Sequence, residues 1–114
     1  MKIRARPRRG NVFLIHCSDA IGSEQDGIRP AVVIQNDHGN RHSSTTIMAM
    51  ITSQKKKKMP VHVKLHSPEL KKNSCVLLEQ VRTVSVNRLD KYICTLDKSE
   101  MSEINKALKI SLEI

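Results

Sequence analysis

Aromatic side chains are nearly absent from this chain, which has one Phe, one Tyr and no Trp. Modules that bind single-stranded nucleic acid by stacking bases on surface rings need several of them. Phe13 and Tyr92 cannot supply such a platform. Any contact with nucleic acid must therefore rest on charge, hydrogen bonds and guanidinium planes. Long apolar runs are missing too. Nothing approaches the roughly 20 residues of a membrane-spanning helix. The run VFLI at 12–15 is broken by His16 and is too short for the apolar part of a signal peptide. A cytoplasmic chain with no membrane partner is expected. Cysteine is sparse. Cys17, Cys75 and Cys94 are odd in number, lack CxxC spacing and sit in or beside apolar runs. They read as free thiols in a reducing compartment, and their spacing argues against a zinc site.

Common catalytic signatures are also lacking: there is no GxGxxG, P-loop, HExxH or GxSxG. The five histidines (His16, His38, His42, His62 and His66) are scattered, and surface roles are the default for His62 and His66. No cofactor is expected, and no metal.

What the chain does have is positive charge. Twenty Lys and Arg stand against 11 Asp and Glu, giving a net charge of +9 and a pI near 9.8. That balance selects a polyanionic partner: nucleic acid, an anionic membrane or an acidic protein. With 114 residues there is room for one domain and a modest core, which favours pairing into a homodimer. Residues 1–8 read as a loose basic arm opposed to helix by Pro7, and 9–114 as a single domain.

The stretch 21–37, IGSEQDGIRPAVVIQND, organises the rest. Its first half is a polar, glycine-bounded loop. Its second half holds a short apolar strand at 31–35. Pro30 biases Arg29 towards extended backbone. An arginine rooted where loop meets strand suits contact with a phosphate, although a solvated strand-capping arginine would look the same. Further strands are expected at 11–17, 45–52 and 61–65, and at 75–84 as one bent strand, with a last short one at 92–94. Residues 36–40 form a turn by composition and 86–89 a helical turn. Asp97 and Glu100 make a capping box. Met101, Ile104, Leu108 and Leu112 then recur at helical spacing, so the chain ends in an amphipathic helix packed on the sheet. About six short strands and one helix predict a mostly β fold, a small antiparallel barrel with minor α.

Several segments in order resemble the MazF/PemK family of toxin endoribonucleases. They are Arg9-Gly10-Asn11-Val12, the 21–37 stretch, GNR at 39–41, the strand ending AMITSQ, and VLLEQVRTV from Val76, followed by LD and ALKISL. The resemblance runs from about Arg9 to Leu112. It implies an SH3-like barrel of the PemK/CcdB type with a C-terminal helix, acting as a homodimer. It implies sequence-specific, metal-independent cleavage of single-stranded RNA. It also implies an acidic, MazE-like antitoxin that neutralises the toxin; the complex could bind its own promoter DNA through the antitoxin. By the same resemblance Arg29 and Thr52 are catalytic, and Ser23, Gln25, Gln35, Asn40, Gln80 and Arg82 support the active site or contact RNA. The basic loop Lys55, Lys56, Lys57 and Lys58 would attract phosphates or the antitoxin's acidic tail.

Where the family commonly has an acid after Arg-Gly, this chain has Asn11; where a proline follows GNR, it has Ser44. Its 62–75 segment is shorter than in many relatives. These differences bear on which bases are read more than on activity. The competing expectation is a toxin-fold module without catalysis, binding a protein target such as gyrase, or only an antitoxin. Retention of both Arg29 and Thr52 disfavours it.

Overall fold

Alternating apolar residues build a sheet, and one 3.6-residue periodicity builds the helix that covers it. The computed structural model describes residues 6–17, 22, 27–54 and 57–114. Within them lie strands β1 (Asn11–Cys17), β2 (Gly27–Val33), β3 (Thr45–Thr52), β4 (His62–Lys64), β5 (Cys75–Ser85) and β6 (Leu89–Thr95). Two α-helices, α1 (Asp37–His42) between β2 and β3 and α2 (Lys98–Leu112) at the end, and a 3-10 turn at Val86–Arg88 complete the order. The strands form one sheet in the order β4-β5-β3-β2-β1-β6. Every neighbouring pair is antiparallel. The mostly β fold closed by a C-terminal helix is as the sequence predicts.

Both faces of the central strands are buried. On one face Val12, Val32, Ala49, Ile51, Val76 and Leu78 pack with Ile104 and Ala107 of α2. On the other, Ile15, Ala31, Val33, Met48, Met50, Val84 and Leu89 form a second cluster. A flat sheet with one helix would leave that second face wet, so the sheet must coil on itself as a small barrel does. Irregular pairing supplies the bend. In the β3–β5 ladder Ala49 pairs with Val81 but Met50 with Leu77, so residues 78–80 of β5 bulge out between them. Bulges bend strands and re-aim side chains. The β1–β6 ladder shifts register twice.

Asp97 caps α2 as expected: its side chain accepts from the Glu100 N–H at 2.8 Å, and Glu100 returns the bond to the Asp97 N–H. The second Glu100 oxygen accepts from the His66 N–H, tying the loop after β4 to the helix. Ile104 and Ala107 are buried, whereas Leu112, assigned to the apolar face by spacing, is exposed near the helix end. Cys17 and Cys94 are buried free thiols and Cys75 is half-buried. Burial pushes the Cys94 thiol up from its ordinary range.

Three local expectations change. Residues 36–40 are more than a turn. The Asn36 side chain accepts from the Gly39 N–H and nucleates the six-residue α1. Gly39 keeps this packing close, because a Cβ there would lie 3.1 Å from the Gln35 side chain and push it aside. β2 begins at Gly27 and ends at Val33, so Arg29 lies within a strand. Pro30 fits this strand because β2 pairs with β3 only at Ala31, Val32 and Val33, leaving Pro30 on an open edge. Finally, residues 6–8 of the expected loose arm make contacts of their own, and Arg9 is ordered as expected. The Arg6 Nη1 donates to the Ser43 carbonyl, the Arg9 N–H to Asp37, the Arg9 Nε to the Ile34 carbonyl and the Arg9 Nη2 to Asn105.

Candidate active site

The ladders decide which predicted residues meet. Ala31 pairs with Met50 and Val33 with Met48. The ladder stops there, two residues short of Arg29 and Thr52; the same register carried on would set these two across from each other. The row extends further on both sides: Arg29 pairs with Ile15 on β1, Thr52 with Cys75 on β5, and Cys75 with Lys64 on β4. Directly opposed residues share a face. Ile15 belongs to the cluster on the face away from α2, so Arg29 and Thr52 leave the backbone on that face. Arg82 pairs with Met48 of the same cluster, and Gln80 is two residues from it. Arg29 and Arg82 are then about 10 Å apart across the sheet and about 13 Å along it.

The side chains in this row differ in what they can offer. Arg29 is exposed. Thr52 is 5% exposed, and its hydroxyl oxygen accepts from the Gln54 N–H at 3.1 Å. Accepting there orients the hydroxyl and leaves its O–H to donate. An exposed cation beside a fixed donor is suited to holding the non-bridging oxygens of a phosphate. Lys64 at the row's end is exposed, as are Lys57 and Lys58, which adds field without fixed geometry.

The same strand ends rim a concavity of about 270 Å³. Leu14, Ile28, Pro30, Ile51, Leu70 and Ile93 give it an apolar wall, with Arg29, Thr52 and Glu69 at its edge. Arg29 and Thr52 thus meet at one concavity, with Ser53, Gln54, Lys71 and Ser74 as further polar lining. Glu69 is no poised proton acceptor, because the Ser67 hydroxyl donates to it at 2.6 Å and holds its carboxyl below the usual range.

Two predicted RNA contacts are turned inwards. Asn40 is 1% exposed, and its carboxamide oxygen accepts from Gln35 and the buried Thr46 hydroxyl. Its Nδ2 donates to the Gln35 carbonyl and to Asp37. Gln35 also donates to the Thr45 carbonyl. The Gln35–Asn40 pair braces α1 against β3, at the far end of β2 from Arg29. Ser23, Gln25, Lys55 and Lys56 lie outside the described residues.

One pair escaped sequence reasoning. His62 Nε2 meets Glu79 Oε2 at 2.8 Å. His62 pairs with Leu77, opposite Met50, so it too stands on the face of Arg29. Glu79 lies in the β5 bulge, 17 residues from His62, and no spacing rule connects them.

With this geometry in place, comparison with known proteins is informative. Residues 8–112 match the model of the PemK-like, MazF-like toxins of type II toxin–antitoxin systems. The chain is 48% identical over 108 residues to an endoribonuclease MazF of Staphylococcus saprophyticus, covering 92% of this chain and 90% of that one. It is 44% identical over 110 residues to the endoribonuclease EndoA of Bacillus subtilis, covering 94% and 95%. A mycobacterial endoribonuclease solved in complex with its cognate antitoxin shares the fold, with a TM-score of 0.79 over 95% of this chain and 96% of that one at 23% identity.

Proposed function

The chain belongs to the PemK-like, MazF-like toxin family of type II toxin–antitoxin systems, and on that premise we propose that it is a sequence-specific, metal-independent endoribonuclease acting on single-stranded RNA. The observation that carries this is that Arg29 and Thr52 line one concavity at the ends of β2 and β3. The relatives' shared name of endoribonuclease supports it. The RNA supplies its own nucleophile. The 2′-oxygen bonds to the adjacent phosphorus, the bond from phosphorus to the 5′-oxygen breaks, and a 2′,3′-cyclic phosphate and a 5′-OH result. The 2′-OH proton leaves to a base or solvent, and the 5′-oxygen takes one up. Negative charge grows on the non-bridging oxygens as the phosphorus becomes five-coordinate. Arg29 neutralises it and the Thr52 O–H donates to it. Arginine is too weak an acid to give up its proton readily, so its part is electrostatic.

Gln80 and Arg82 line the continuation of the same face and contact flanking nucleotides. Such cleavage stops translation and growth until an acidic antitoxin covers the cationic face. The solved mycobacterial relative bound to its antitoxin supports that partner. Exposed Ile110, Leu112 and Ile114 offer apolar surface to a homodimer. The test is purified protein with a long defined RNA in EDTA, followed by end-group analysis. Cyclic phosphate and 5′-OH ends are expected. Cleavage that occurs only with added Mg²⁺ would overturn the mechanism.

A further inference from the structure

Arg6, Pro7, Arg8, Asp37 and Arg41 line a second concavity, of about 460 Å³. It lies at the opposite end of β2 from the Arg29–Thr52 row. Arg9 reaches the Ile34 carbonyl, five residues from Arg29 and about 17 Å along a strand. Its construction is regular. Arg6 and Arg8 are exposed on either side of the buried Pro7, and both line the concavity. The segment is pinned at three points: Arg6 Nη1 to the Ser43 carbonyl, the Arg8 N–H to Asn11, and the Arg9 N–H to Asp37. Arg41 comes from the last turn of α1, four residues after Asp37 and on the same helix side.

Three guanidinium groups thus surround one carboxylate. Asp37 is already engaged, accepting from Arg9 and Asn40 through one oxygen. Two positive charges remain uncompensated in the concavity. Arginine forks present paired N–H groups that match a phosphate's oxygens, and the pinned arm holds the Arg6 guanidinium by its bond to Ser43 and the Arg8 backbone by its bond to Asn11. We propose that Arg6, Arg8 and Arg41 form a phosphate-binding site, separate from the cleavage face, that holds a backbone phosphate of RNA outside the cleaved segment. This rests on the proposed ribonuclease function and extends its footprint on long substrates.

The experiment measures binding of a long RNA carrying a 2′-deoxy nucleotide at the mapped cut site, against salt, for the wild type and for Arg8→Ala/Arg41→Ala. Removing one phosphate contact on a single strand lowers the slope of log K against log salt by about 0.7. Affinity for the long RNA is expected to fall about tenfold, while cleavage of a short oligonucleotide spanning only the cut segment stays unchanged. Arg8→Lys/Arg41→Lys keeps charge and fold but loses the forks, and is expected to fall between the two. Inorganic phosphate as competitor separates the sources: competition only at concentrations that also screen the cleavage face supports the RNA backbone. An unchanged slope and affinity in the Ala and Lys variants overturns the site while leaving the ribonuclease reading intact. If the variants instead lose binding of poly-glutamate alone, the site takes a protein's carboxylates and the proposal is wrong. A wild type that binds no RNA overturns both.

Discussion

His62 and Glu79 meet at 2.8 Å across the β4–β5 ladder. The histidine side chain is only 9% exposed, the carboxylate 38%. The molecule holds a natural contrast in His16 and Asp90, 3.9 Å apart with both side chains about half exposed. Exposed ion pairs at such range contribute almost nothing, since water screens them and side-chain ordering offsets the gain. A partly sheltered, short hydrogen bond is worth more.

Double-mutant cycles should separate the two pairs. Alanine at His62, at Glu79 and at both is expected to show a coupling of about 1 kcal/mol in urea denaturation. The same cycle on His16 and Asp90 should give about zero. Equal couplings would mean that burial at the β5 bulge is not what gives the first pair its strength.

Arg29 and Thr52 call for different substitutions because they are built differently. Arg29 is exposed, and a melt of Arg29→Ala separates loss of cleavage from any loss of fold. Loss of one donor to a developing oxyanion typically costs about 10²–10³ in kcat, and cleavage by this variant is expected to fall by that much or more. Arg29→Lys should recover only part, since an ammonium lacks the fork. Thr52 is buried with its oxygen bonded to Gln54. Thr52→Ser is expected to retain activity, and Thr52→Val to lose both the donor and some stability. Single-turnover cleavage with a melt of each variant checks this; a fully active Thr52→Val would remove Thr52 from the mechanism.

Asn40 makes the opposite prediction. It is buried and bonded to Gln35, Thr46 and Asp37. Asn40→Ala would orphan the wholly buried Thr46 hydroxyl and loosen Gln35, at a cost of about 3 kcal/mol. Cleavage per folded molecule should not change. A variant of normal stability and weak RNA binding would instead restore Asn40 to the substrate face.

That contrast shows where sequence stops informing. The strands were legible where apolar residues alternate, as in 61–65, or run together, as in 45–52, and α2 was legible from its capping box and the Met101–Ile104–Leu108 spacing. α1 was not, because its six residues, with a glycine inside, have no periodicity to read. Its helix depends on Asn36, and on Gln35 and Asn40 closing against β3. The start of β2 was hidden because a proline is acceptable there only on an edge that the β3 pairing leaves open. Arg29 and Thr52 could be named from resemblance, but their opposition follows from register. The β5 bulge, and with it the approach of Glu79 to His62, is a property of the ladder alone.

Acid should weaken the fold through its caps. The Arg9 N–H bond to Asp37 holds that carboxyl below its usual 3.8, with Asn40 and the nearby Arg8 and Arg41 adding to the effect. The Glu100 N–H does the same for Asp97 at the start of α2, with help from the Ser99 hydroxyl. A carboxyl depressed on folding stabilises the protein above its unfolded pKa, and that stabilisation is lost as pH falls through the folded value. The melting temperature should therefore be level from pH 7 to about 5 and decline below about 4. Asp97→Asn keeps an oxygen that can accept at the cap but does not titrate. Its melting temperature should start lower than wild type at pH 7, and the gap should narrow as the pH falls below about 4. A gap that stays constant to pH 3 would show that the charge on Asp97 contributes nothing and that the cap acts through geometry alone.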